Sequence, residues 1–419
     1  PEVVAGKKER YLKIMERWVE AHPQDYMERS HVALTYYSTD RLEEAERAYR
    51  FIIEESACYA DRNWVVYTTA LLFLGRTYMK MGRLEEAMSY LHKAEAVDRD
   101  YILTQLTLAE LYAQLEEHKA VLEHARLVVD SKRQMTFFPI DYDEVIFSAH
   151  LLMARSYKAR SMWSQAAASF RSAAATPVDR RSDALGSLSG MYKELGQLGQ
   201  ARSALGEALE MAPEHPEHAF NMGVIELEAG QLDRAEPFFK QALALKSGHM
   251  LALLNLGYIA KTQGRLDEAE ARYGQAIECD EKGVEARANL AHLLVDQERY
   301  GEALTLFREV RSLESGLLDI ELGYLLSLVH QPERTWSDCS LVLRSLDGLL
   351  IDWSVGEGDL EQSQSAALRL GELGVLLIRS EMHKCAELAL RVAVALENDL
   401  LEVRRLLAEV LFARGAYWQ

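Results

Sequence analysis

Asn255-Leu-Gly-Tyr-Ile-Ala-Lys-Thr-Gln-Gly-Arg-Leu-Asp-Glu-Ala269 has a near copy one unit earlier, Asn221-Met-Gly-Val-Ile-Glu-Leu-Glu-Ala-Gly-Gln-Leu-Asp-Arg-Ala235. The interval is 34 residues, and it persists through Ala201, Ala235, Ala269 and Ala303. Twelve residues before each stands another small residue: Ser189, Gly223, Gly257 and Ala291. Five residues before the first three alanines lies a glycine: Gly196, Gly230 and Gly264. A period of this length, punctuated in this way, describes a helix–turn–helix unit. Such a unit cannot bury its apolar face alone and must stack on its neighbours.

These residues and their spacing resemble the tetratricopeptide-repeat superfamily over the whole chain except about 340–366, most specifically at 182–315. The family pattern asks for bulky residues near positions 4, 7, 11 and 24 of the unit and small ones near 8, 20 and 27. The unit from Met250 supplies Leu253, Leu256, Gly257, Ala269, Tyr273 and Ala276, with Ala260 where an aromatic is usual. The unit from Ser182 supplies Leu185, Leu188, Ser189, Tyr192, Ala201, Leu205 and Ala208. Small residues at positions 8 and 20 let the two helices approach, and the larger ones interdigitate around the contact. The glycine near position 15 ends the first helix, helix A, in a backbone conformation other residues resist. The resemblance implies an all-α, right-handed superhelical solenoid whose A helices line a concave groove for a peptide or partner helix.

Composition agrees. A chain of 419 residues exceeds one ordinary core, and only 8 prolines among abundant Ala, Leu and Glu favour helix throughout. The 65 acidic side chains against 47 basic ones give a net charge of -18, which disfavours nucleic acid and anionic membrane as partners. Cys58, Cys279, Cys339 and Cys385 are far apart and form no CxxC pair. Free thiols in a reducing compartment, the cytoplasm, are therefore expected, without metal or redox chemistry. No apolar run approaches the roughly 20 residues that span a bilayer, and no signal peptide is apparent.

Residues 1–25 read as a lone N-terminal helix, the second helix of a partial repeat. Residues 26–180 read as irregular repeats with two aromatic-rich insertions, and 181–315 as the regular array. A degenerate repeat and loop follow at 316–366, then a C-terminal repeat and a partial one at 367–419. The helix at 400–414, stopped by Gly415, lacks a second helix, so both ends appear cut through a repeat, as in a fragment of a longer array. Ala45 and Ala87 are 42 residues apart, and Val121 and Ala166 are 45 apart, surpluses of 8 and 11. These surpluses fall near 59–67 and 134–147, with Tyr59, Trp64, Tyr67, Phe137, Phe138, Tyr142 and Phe147, and predict extra helical turns or ordered loops.

Position 6 of three successive units is asparagine: Asn221, Asn255 and Asn289. This resembles the asparagine ladder in the repeats of the O-linked N-acetylglucosamine transferase. An amide offers both donor and acceptor, so a ladder can grip an extended peptide backbone without reading its side chains. The plainer alternative is that these amides bond neighbouring helices. Phe220, Tyr258, Lys261, His292 and Asp296 would flank the groove. A second likeness lies in Lys7-Lys8-Glu9-Arg10-Tyr11-Leu12, the Pro23 break and the first repeat. These are similar to segments that follow the catalytic domain of some family-2 glycosyltransferases, and the likeness implies an acceptor-recognition module of a larger enzyme.

Other motifs carry less. Asp141-Tyr-Asp143 imitates the metal-binding DxD of nucleotide-sugar transferases but lies between helical repeats, where a turn or helix cap is the better reading. His215 and His218 are spaced to touch a metal, yet Pro216 between them favours a turn entering a helix. The isolated Gly356-Glu-Gly358 lacks a flanking strand and helix, and no phosphate loop, GxSxG or HExxH occurs. No cofactor and no catalytic residue is expected. The sequence predicts a non-catalytic scaffold that binds a protein or peptide along 216–296, its acidic surface selecting a neutral or basic ligand. The rival is the glycosyltransferase-associated module, and self-association through exposed repeat ends is a further expectation.

Overall fold

The computed structural model of the chain describes residues 2–56, 64–131, 140–280, 282–314, 317–329 and 331, parts of 367–394, and 400–413. Among the described residues there are helices and turns and no strand. They gather into two compact units, Pro1–Glu214 and His215–Gln419.

The first unit opens with α1 (Glu2–Ala21). Five helix pairs follow: α2 (Tyr26–Ser38) with α3 (Leu42–Ser56), α4 (Trp64–Lys80) with α5 (Leu84–Val97), α6 (Ile102–Gln114) with α7 (His118–Val129), α8 (Tyr142–Ala159) with α9 (Trp163–Ala174), and α10 (Arg181–Glu194) with α11 (Leu198–Met211). The second unit holds α12 (Pro216–Glu228) with α13 (Leu232–Leu245), α14 (Met250–Thr262) with α15 (Leu266–Cys279), and α16 (Val284–Asp296) with α17 (Tyr300–Leu313). Beyond these come α18 (Leu318–Val329) and α19 (Leu401–Ala413). Within a unit each A helix packs on its own B helix, and each B helix on the A helix that follows. The all-α fold of stacked helix pairs is the one the period predicts.

The close approach of the two helices in a pair sets which residues fit the seam. A Cβ added to Gly257 would lie 2.5 Å from the Tyr273 ring, and one added to Gly223 would lie 2.7 Å from the Phe239 ring. Both rings are buried, so the missing side chain on helix A is what makes room for the aromatic on helix B. Ser189 fills the same register with a hydroxyl that donates to the Ala201 carbonyl at 2.8 Å, which leaves the buried oxygen satisfied.

Every A-to-B turn of the eight pairs uses one left-handed residue. Glycine supplies it at Gly82, Gly196, Gly230 and Gly264, but Asp40, Glu116, Ser161 and Glu298 adopt it with φ between 55 and 62°. The following N–H then bonds back across the turn, as from Arg265 to the Ala260 carbonyl at 2.8 Å and from Arg299 to the Leu294 carbonyl at 2.8 Å. Four turns thus hold a strained side-chain-bearing residue where the other four hold glycine.

A charge ladder ties neighbouring pairs together. Arg83, Arg265 and Arg299, each directly after the left-handed residue, reach Glu46, Glu236 and Glu270 on the preceding B helix at 3.1, 2.8 and 2.6 Å. Each acceptor follows the small residue of that B helix: Ala45, Ala235 and Ala269. The same arginines also hold Glu86, Glu268 and Glu302 on their own helices.

Part of each aromatic surplus enters a helix. α4 has 17 residues and α8 has 18, against 13 in α2, α6, α12, α14 and α16. Each gains about one turn at its N-terminal end. Phe147 is fully buried, and Tyr142 packs against the first unit's core. The remainder of the insertions, with Tyr59, Phe137 and Phe138, lies outside the described residues, as do Gly356, Gly358 and Gly415. Among the described residues no helix is long and apolar enough to cross a membrane.

Two predictions follow from these turns and charges. Ser161→Gly and Glu298→Gly should each raise stability by about 1 kcal/mol, since glycine removes left-handed strain of about 1–2 kcal/mol at some entropic cost. Gly264→Ala should lose a similar amount, read from urea midpoints. Acid stability is fixed in sign. Hydrogen bonds from Arg83 and Arg299 hold Glu86 and Glu302 below the usual carboxylate range, and Lys240 and Arg265 do the same for Glu236. Folded values below the unfolded one, near ~4.3, mean this stabilisation is complete above that pH and is lost as pH falls through the folded values. Burial pushes the His124 and His150 imidazoles down, so they favour the fold above about pH 6.5 and less below it. Melting temperatures measured against pH should therefore drop in two windows as acid is added.

Candidate peptide-binding face

Asn221, Asn255 and Asn289 lie at the same register on α12, α14 and α16, two residues before Gly223, Gly257 and Ala291. That register is set by the seam, since the small residue must face helix B. Asn221 is exposed, while Asn255 and Asn289 are half-buried. The Asn255 Nδ2 donates to the Leu251 carbonyl of its own helix at 2.7 Å, which occupies one amide hydrogen and leaves the side-chain oxygen as an acceptor. Among the described residues, the side-chain amides of Asn221 and Asn289 have no hydrogen-bond partner. The three amides are not bonded to one another.

The flanking residues divide into two sets. Tyr258 is 51% exposed on α14 and offers a free aromatic surface. Lys261 and Asp296 come together: the Lys261 ammonium lies 2.7 Å from the Asp296 carboxylate, joining α14 to α16. Phe220 and His292 turn toward the seam instead. The Phe220 ring packs 5.6 Å from Phe239 and 4.7 Å from His249, and His292 sits edge-on to Phe307 at 5.1 Å. Their rings are part of the helix packing, with His292 still half-buried rather than enclosed.

His249 is a residue that sequence reasoning passed over. It caps α14, its Nδ1 accepting from the Ala252 N–H at 3.3 Å, and its Nε2 lies 3.5 Å from Glu217. The signal was its place, 34 residues after His215, which likewise occupies the N-cap of α12 ahead of Pro216. His215 and His218 stack face to face with ring centroids 4.0 Å apart. Asp141 caps α8, accepting from the Asp143 and Glu144 N–H groups at 3.1 and 3.2 Å, in keeping with a helix cap.

Family models described as tetratricopeptide repeat match residues 192–249, 226–282, 284–313 and 68–101. The chain carries tetratricopeptide repeats. The matches take in most of α4 with all of α5, the run from α11 to α15, and the pair α16/α17. The models that match describe no glycosyltransferase, so the likeness to segments of family-2 glycosyltransferases finds no support in them. No curated protein sequence matches the chain.

Several solved structures are similar at low identity. One is a tetratricopeptide repeat protein from Parabacteroides merdae, 17% identical, covering 63% of this chain and 98% of its own, with a TM-score of 0.40. Another is the C-terminal part of a repeat-containing protein from Cytophaga hutchinsonii, 15% identical, covering 60% and 98%, with a TM-score of 0.47. A third is pilF of Pseudomonas aeruginosa, 17% identical, covering 61% and 95%, with a TM-score of 0.39. These similarities are too remote to carry an argument about function.

The Lys261–Asp296 pair gives this face a measurable property. Their side chains are 33% and 54% exposed, so solvent screens the attraction. A double-mutant cycle with Lys261→Ala and Asp296→Ala should return a coupling of about 0.2–1 kcal/mol that shrinks as salt is added.

Proposed function

We propose that this chain is a non-catalytic scaffold that holds a protein or peptide along the A-helix face of α12, α14 and α16. Tetratricopeptide repeats generally mediate such binding, and repeat scaffolds of this kind are typically without catalysis. The observation that carries the reading is the amide register: Asn221, Asn255 and Asn289 recur on three successive A helices and are not consumed by one another. An extended backbone laid across them would meet a donor and an acceptor at each step. Tyr258, exposed beside Asn255, adds apolar contact area at low entropic cost. The net charge of -18 selects against anionic ligands and steers neutral or basic ones. The dispersed cysteines, of which Cys279 is exposed and unbridged, suit a reducing cytoplasm.

Peptides selected by display against the wild-type chain provide the test. Asn221→Ala, Asn255→Ala and Asn289→Ala combined should weaken their binding by at least about tenfold, or about 1.4 kcal/mol, with little change in melting temperature. A large fall in melting temperature would assign the amides to the fold instead.

A further inference from the structure

We propose that the first unit carries a second and chemically different binding site, a cleft on its A-helix face that takes a bulky apolar side chain flanked by Lys or Arg. The cleft has a volume of about 440 Å³ and is lined from α2, α4, α6 and α8. It lies wholly within Pro1–Glu214, whereas the asparagine register belongs to His215–Gln419, and it goes beyond the function proposed for that register.

The floor is apolar. Leu34, Phe73, Leu103, Leu106, Ile140 and Val145 line it. Phe73 is the decisive residue, because it occupies the register that asparagine holds in the second unit. It stands two residues before Gly75, as Asn221 stands two before Gly223 and Asn255 two before Gly257. The same position on an A helix thus presents an aromatic ring in one unit and an amide in the other. The ring is fixed from below: Tyr49 stacks on it at 6.0 Å and Tyr37 meets it edge-on at 5.8 Å. A floor that is already ordered loses little freedom when a ligand settles on it. The volume falls within the range of sites that enclose small ligands, about 300–1,000 Å³, and is roomy enough for one leucine- or phenylalanine-sized side chain.

The rim is acidic. Glu110, Asp141 and Glu144 line the cleft against the single guanidinium of Arg76. Arg76 pairs with Glu110 at 3.5 Å, and Arg180, from outside the lining, pairs with Glu144. Asp141 is exposed, and among the described residues no cation pairs with it. With those two pairs made, the rim keeps one negative charge in excess, on a chain of net charge -18. An apolar side chain next to Lys or Arg satisfies both the floor and the rim; an acidic peptide would satisfy only the floor.

The test uses the full chain and a defined probe, Gly-Ser-Arg-Leu-Arg-Ser-Gly-amide labelled with fluorescein at its N-terminal amine, read by fluorescence anisotropy. Two companions carry Gly for Leu or Glu for both Arg. Ser148 lines the cleft and is half-buried, so Ser148→Trp should fill it. Asp141→Asn neutralises the rim while keeping a competent helix cap. The leucine–arginine probe should bind the wild-type chain saturably, at least about tenfold tighter than either companion. Ser148→Trp should weaken it by a similar factor, and the neutralised rim should weaken it and flatten its salt dependence. The combined Asn221→Ala, Asn255→Ala and Asn289→Ala variant should bind the probe as the wild type does, which separates this site from the one proposed above. Failure of the probe to bind at millimolar concentration would overturn the proposal. So would equal binding of the companions, or binding unchanged by both cleft variants. A wild-type dimer that Ser148→Trp dissociates in sedimentation would also overturn it, by assigning the cleft to a second copy of the chain.

Discussion

The contact between a small residue on helix A and a bulky one on helix B governs the rest of the molecule. Where Gly257 meets Tyr273 or Gly223 meets Phe239, the ring occupies space that any side chain on helix A would need. That requirement fixes the rotation of helix A about its axis. Once the small residue faces the seam, the residue two positions earlier is assigned to a particular surface of the helix. Asn221, Asn255, Asn289 and Phe73 share a register for this reason alone. Packing thus decides which side chains are available for binding before any ligand is considered.

Repetition turns that local contact into a surface. A single helix pair would leave much of its apolar face wet, and each neighbour covers part of it, so stability accumulates from modest nearest-neighbour terms. The arginine ladder adds directional links between pairs: Arg83 to Glu46, Arg265 to Glu236 and Arg299 to Glu270. Its members sit on solvent-facing turns and B helices, where water and salt weaken each link. Their worth lies in register more than in strength, because a fork of fixed geometry favours one alignment of neighbouring B helices. The A-helix face is left free to vary, and it does vary, from an apolar cleft in the first unit to spaced amides in the second.

Much of this was legible in the chain. The helix pairs, the left-handed turns and the seam residues follow from a 34-residue period, since a repeated pattern reports the same contact many times over. The arginine ladder was legible too, in the recurrence of Ala-Glu on one B helix and Arg after the turn of the next, at Glu236 and Arg265 and at Glu270 and Arg299. The candidate face was legible only in part. Its asparagines could be placed by register, but the turning of Phe220 and His292 toward Phe239 and Phe307 depends on the space left beside each ring. At four pairs the sequence shows no glycine at the turn, and there Asp40, Glu116, Ser161 and Glu298 accept the same left-handed backbone under the constraint of the packed helices on either side.

Periodicity, by itself, determined the helices, their pairing and which positions had to be small, because these depend on contacts between residues a fixed distance apart along the chain. Tertiary structure decided what no spacing encodes. It joined Lys261 to Asp296 across two A helices, drew part of the surplus before Gly75 and Ala154 into longer helices, and opened a cleft between Phe73 and Asp141. Each of these depends on how far apart neighbouring helices stand and how long their side chains are, and that geometry exists only once the pairs are stacked.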